Sequence, residues 1–90
     1  RDDYPDLHYN LANALLAVGR PDEAAAHLRK AAVGTPDSAG VQNNLGLALV
    51  EKGQLAEAAV AFERAAQLDP ASPKAYRNLG NVLATLGDDT

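Results

Sequence analysis

The chain has 90 residues, 47% hydrophobic and 4% aromatic, with a formal net charge of −4. That length suits one domain with a small core, and the acidic balance argues against a nucleic-acid partner, which needs clustered Lys and Arg. Cysteine is absent, which excludes disulfides and thiolate metal sites; no run approaches the ~18 apolar residues of a membrane span, so no membrane partner is expected. In chain order, Asp3-Tyr4-Pro5 supplies turn and capping residues before a first helix over 5–18, and Gly19 follows it as a left-handed C-terminal residue would. A second helix is expected over 22–33. Thr35-Pro36-Asp37-Ser38 then leads into a third over 39–52, where Val41, Leu45, Ala48 and Leu49 recur at spacings of three and four, and Gly53 ends it. A fourth, over 56–67, has Ala58, Ala59, Phe62, Ala65 and Ala66 on one face. Ser72-Pro73 reads as an N-cap followed by proline at the first helical position, opening a fifth helix over 73–86. Nothing between these segments reads as a strand, so the class is all-α.

The pattern returns at a fixed interval. Asn10-Leu11-Ala12-Asn13 is echoed by Asn44-Leu45-Gly46-Leu47 and by Asn78-Leu79-Gly80-Asn81, each 34 residues on. Gly19, Gly53 and Gly87 keep that interval, as do Leu15, Leu49 and Leu83, and Pro36 is matched by Pro70. Such a period means stacked copies of one helix-turn-helix unit. The copies are repeat 1 at 5–38, repeat 2 at 39–72 and a partial repeat 3 at 73–90, within one domain spanning 1–90. The chain starts at Arg1 without methionine and ends soon after a helix, so a segment excised from a longer protein is expected.

These residues resemble the tetratricopeptide repeat family. With Pro5, Ala39 and Pro73 as first positions, the family's Leu-Gly pair falls on Leu11-Ala12, Leu45-Gly46 and Leu79-Gly80. Its mid-repeat alanine is Ala24 and Ala58, its large apolar residue Leu28 and Phe62, its second alanine Ala31 and Ala65, and its proline Pro36 and Pro70. The usual aromatic at position four is His8, Gln42 and Tyr76, so only the last conforms. The resemblance implies a right-handed superhelix of antiparallel helix pairs, with the first helices lining a concave face. Ala12, Gly46 and Gly80 are expected to face Ala24 and Ala58, and Leu11, Leu45 and Leu79 to fill the core between units.

Positions two, six, nine and thirteen of each first helix share one stripe. Position six is Asn10, Asn44 and Asn78; position nine is Asn13, Leu47 and Asn81. An amide both donates and accepts, so such a column can bond an extended peptide's backbone whatever its side chains. This resembles the asparagine ladder in the repeat arm of O-GlcNAc transferases. The family's carboxylate clamp, which holds a C-terminal carboxylate, is matched at Asn13, Asn44 and Lys74, but Tyr9 stands in place of its first lysine and Asn78 in place of its arginine. Arg77 lies one residue away, about 100° round the helix. Lys74 and Arg77 are expected to favour acidic residues, with Tyr9, Leu16, Leu47 and Val50 as apolar anchors.

The expected function is a protein–protein interaction module that binds an extended peptide. Two alternatives stay open: the substrate-selecting arm of a larger glycosyltransferase-like enzyme, and a self-assembly module. The third repeat has only its first helix, so Val82, Leu83 and Leu86 are expected to form an exposed apolar strip that promotes homo-oligomers. No catalytic residue, cofactor or metal is expected: His8 and His27 fall at unrelated repeat positions, Ser38 and Ser72 are taken up by turns or caps, and Asp2-Asp3 and Asp88-Asp89 make poor metal cages. The cytoplasm is the expected compartment.

Overall fold

A computed structural model describes residues 5–88; Asp2, Asp3, Tyr4 and Asp89 lie outside them. The described chain forms α1 (Pro5–Ala17), α2 (Pro21–Gly34), α3 (Ala39–Glu51), α4 (Leu55–Leu68) and α5 (Pro73–Asp88). Each helix packs on the next in the chain, and α1 also touches α3. The result is an elongated layer of 45 × 28 × 17 Å.

Local chemistry sets the helix ends. Pro21 occupies the first turn of α2 beside Asp22 and Glu23, whose charges suit the positive end of the helix dipole. Ser38 caps α3, its Oγ accepting from the Val41 N–H at 3.2 Å. After α1 and α3, Gly19 and Gly53 adopt φ of +78°. There the N–H of Arg20 bonds Leu15 O at 2.9 Å and that of Gln54 bonds Leu49 O at 2.8 Å. These bonds close a Schellman turn that turns the chain back antiparallel.

The repeat register decides which side chains are covered. Positions three, seven and ten of a first helix pack on the preceding unit. In α3 these are Val41, Leu45 and Ala48, and in α5 Ala75, Leu79 and Val82, all buried or half-buried. In α1 the same positions are Leu7, Leu11 and Ala14, all exposed, because no second helix precedes them among the described residues. Leu11, expected in the core, is therefore 41% exposed. Positions four, eight and eleven pack within the unit. His8, Ala12 and Leu15, and Gln42, Gly46 and Leu49, are covered in this way. Tyr76, Gly80 and Leu83 are not, since no second helix follows α5 among the described residues.

This corrects the expected apolar strip. Val82 is only 5% exposed, in a cluster with Leu49, Ala58 and Phe62, and Leu86 packs partly against that cluster. The open stripe of α5 is Tyr76, Gly80 and Leu83, with Tyr76 and Leu83 at 51% and 53% exposure.

The core is mostly alanine, and its largest fully buried side chains are Phe62 and Leu28. A Cβ on Gly46 would lie 2.5 Å from Phe62 Cε1. The missing side chain thus makes room for the Phe62 ring, which shares a core cluster with Ala58. In unit 1 the same two positions hold Ala12 and Leu28, both fully buried in one cluster. One unit pairs the smallest residue with the larger partner, and the other pairs alanine with the smaller.

Candidate functional site: an asparagine-lined groove

The first helices α1, α3 and α5 present the face carrying the asparagines. Asn10, Asn13 and Asn81 are exposed, whereas Asn44 is 9% exposed. Asn44 donates its Nδ2 to Asn13 Oδ1, joining α3 to α1. Asn78 Nδ2 donates to Asn43 Oδ1 at 3.0 Å, joining α5 to α3. Three of the five amides at positions six and nine, Asn13, Asn44 and Asn78, therefore tie one first helix to the next. Asn13 keeps its two N–H donors and Asn44 its carbonyl outside this bond.

Asn43, only 6% exposed, was not read as part of the site. Its repeat position holds Tyr9, Asn43 and Arg77, so no column marks it. The available signal was the Asn43-Asn44 pair: adjacent side chains diverge by about 100° on a helix, so one amide can reach each neighbouring first helix.

Two clefts open along the seam between α3 and α5, on either side of the Asn43–Asn78 bond. One, of about 210 Å³, is lined by Leu47, Val50, Phe62, Val82, Asn78 and Thr85. The other, of about 150 Å³, is lined by Tyr9, Asn43, Asn44, Asp69, Ser72 and Lys74. Both fall below the ~300–1,000 Å³ typical of small-molecule sites, and each suits a single side chain. Tyr9 is half-buried against the first core cluster. Its hydroxyl lies 3.2 Å from where a Gly40 Cβ would stand, so glycine there lets the phenol rest against the start of α3.

Lys74 and Arg77 are exposed on α5, and neither has an ion-pair partner among the described residues. The cations that are paired lie elsewhere: Arg20 with Glu23, Lys52 with Asp22 at 3.4 Å, and Arg29 with Glu57 at 3.9 Å.

Away from the groove, the fold joins two residues that the repeat register keeps apart. His8 Nδ1 and His27 Nδ1 are 2.9 Å apart, which requires one ring nitrogen to donate and the other to accept. The ring centroids are 5.1 Å apart and the planes 29° from parallel. With the nitrogens so much closer than the centroids, the rings meet edge to edge. His8 is buried. Among the described residues no group of three or more His, Cys, Asp or Glu could hold a metal ion, and no helix is long and apolar enough to cross a membrane.

Comparison with known families matches residues 46–87 to a TPR repeat model and residues 5–30 to a tetratricopeptide repeat model. Comparison with curated proteins gives no match. Among solved structures, the chain is similar to the first TPR of Spaghetti (RPAP3) bound to the HSP90 peptide SRMEEVD. The TM-score is 0.91 and the identity 23%, over 93% of this chain and 67% of that one. It is also similar to the second TPR domain of human RPAP3 in complex with the HSP70 peptide SGPTIEEVD, with a TM-score of 0.85 and 25% identity over 89% and 67% of the two chains.

Proposed function

We propose that this chain, which belongs to the tetratricopeptide repeat family, is a protein-interaction module that binds an extended stretch of another polypeptide along α1, α3 and α5. The observation that carries this reading is the linked amide floor. Two cross-helix bonds hold Asn13, Asn44, Asn43 and Asn78 in place, while exposed Asn10 and Asn81 extend the row at either end. Amides fixed in this way meet a peptide backbone without first losing rotamer freedom. The peptide complexes of the two similar structures support the same use of the face. Their peptides end in acidic residues, but here Tyr9 and Asn78 replace two cations of the family's clamp, leaving Lys74. SRMEEVD is therefore expected to bind more weakly than a peptide matched to this groove. With about 0.5–1.5 kcal/mol per hydrogen bond, a few amide bonds alone give weak affinity, and apolar anchors at Leu47 and Val50 must supply the rest.

The test is a diverse peptide array probed with the wild-type chain and with the Asn10→Ala/Asn81→Ala double variant. These two amides are exposed and make no cross-helix bond, so their loss leaves the stack intact. The wild type should retain a subset of peptides that the variant loses while keeping its helical circular dichroism. Equal retention by both would remove the groove as the site.

A second reading rests on the open stripe of α5, where Tyr76 and Leu83 flank Gly80, around whose absent Cβ nothing lies within 4 Å. That stripe favours self-association. Sedimentation should show a concentration-dependent mass that Leu83→Glu abolishes; a monomer across a hundredfold concentration range would exclude it.

A further inference from the structure

The α3–α5 seam offers two unlike clefts at a fixed spacing. On α3, the polar cleft uses Ala39, Gly40, Asn43 and Asn44, and the apolar cleft uses Leu47 and Val50. On α5, the polar cleft uses Lys74 and Ala75, and the apolar cleft Asn78, Asn81, Val82 and Thr85. On either helix the two sets are centred about seven residues apart, or about 10 Å at 1.5 Å per residue. A flat β-strand puts same-face side chains ~6.6 or ~13 Å apart and so misses this spacing. A polyproline II segment has three residues per turn and a rise of about 3.1 Å, which places residues i and i+3 on one face about 9 Å apart.

Charge selects the group at the polar end. The chain is net negative, yet the charged side chains described on α5 are Lys74 and Arg77, both without an ion-pair partner among the described residues. Asp69 also lines this cleft and opposes an anion on its own side, so the single point charge on Lys74 suits a movable side-chain carboxylate that can keep to the Lys74 side. A fixed terminal carboxylate would need the second and third cations that Tyr9 and Asn78 displace.

Resting on the groove reading above, we propose that the seam recognises a polyproline II segment of a partner protein in which an Asp or Glu and an aliphatic residue are separated by two residues. The acidic side chain meets Lys74 and the aliphatic one enters the Leu47–Val50 cleft. A polyproline II backbone has no internal hydrogen bonds, so its carbonyls and N–H groups are free for the amides that lie between the clefts.

The test uses fluorescence anisotropy with nine-residue proline-rich peptides, capped at both ends, that carry one Glu and one Leu with one, two or four residues between them, in both chain senses. A peptide selected by the array serves as the reference. The two-residue spacing should bind best. Leu→Ser should weaken it about tenfold, and Glu→Gln about threefold, more at low salt. Lys74→Glu should weaken the Glu peptide and strengthen its Glu→Lys counterpart. Thr85→Phe, at the exposed rim of the apolar cleft, should abolish the preference for Leu over Ser. If the reference peptide binds but spacing, Glu and Lys74 have no effect, the two-cleft inference falls and the groove reading stands. If neither the reference nor any designed peptide binds, both fall.

Discussion

Replacing Gly46 with alanine sets two effects of opposite sign against each other. Alanine is favoured over glycine inside a helix by about 1 kcal/mol, so an isolated α3 would gain stability. In the folded chain the new Cβ would stand 2.5, 2.6 and 2.8 Å from three atoms of the Phe62 ring. That ring is fully buried and already packed in a cluster with Leu49, Ala58 and Val82. Overpacking of this kind costs about 1–3 kcal/mol, so Gly46→Ala should be neutral at best and destabilising by about 2 kcal/mol at worst. Gly80 holds the same repeat position with nothing within 4 Å of its would-be Cβ, so Gly80→Ala should stabilise by up to about 1 kcal/mol. The decisive variant is Gly46→Ala/Phe62→Leu, which gives unit 2 the Ala12–Leu28 pairing of unit 1. It should be more stable than the sum of its single changes by about 1 kcal/mol or more. Urea denaturation followed by circular dichroism measures the wild type, the three single variants Gly46→Ala, Gly80→Ala and Phe62→Leu, and the double variant. If Gly46→Ala stabilises as much as Gly80→Ala, or the double variant shows no coupling, then Gly46 is not there to admit the ring.

Three further outcomes are expected. Gly53→Ala has open space around its Cβ but φ of +78°, so it should cost about 1–2 kcal/mol on a urea melt. Asn43→Ala removes the buried acceptor of Asn78 and should cost about 1 kcal/mol, against about 0.5 kcal/mol or less for exposed Asn10→Ala; equal losses would contradict the assigned cross-helix bond. In proton NMR, the His8–His27 bond should give a downfield ring N–H signal that exchanges slowly with water and disappears in His27→Ala. Its absence in the wild type would show that the rings do not share a proton.

Much of the fold was legible because the chain repeats its own punctuation. Gly19 and Gly53 required a left-handed backbone, Ser38 capped as its position suggested, and the helix limits fall within two residues of those read from spacing. What a single unit cannot reveal is which of its faces has a neighbour. Leu11 and Leu45 look identical in the repeat, yet of the two only Leu45 has a preceding unit among the described residues to cover it. Val82 and Leu83 are adjacent and apolar, and one position's rotation about the helix buries the first and exposes the second. The face holding Asn10, Asn44 and Asn78 was legible as a column. The bonds from Asn44 to Asn13 and from Asn78 to Asn43 were not, because they depend on how closely α1, α3 and α5 approach. The His8–His27 bond likewise joins positions four and twenty-three of one unit, which only the α1–α2 packing brings together.

The most direct test of the groove as a peptide site is to titrate an isotope-labelled chain with an array-selected peptide and follow its backbone amide shifts. Perturbations are expected along one face of α1, α3 and α5, centred on Asn10, Asn44, Leu47 and Lys74, with α2 and the outer side of α4 unchanged. Perturbations confined to α2 and α4, or to the Tyr76–Leu83 stripe, would contradict it.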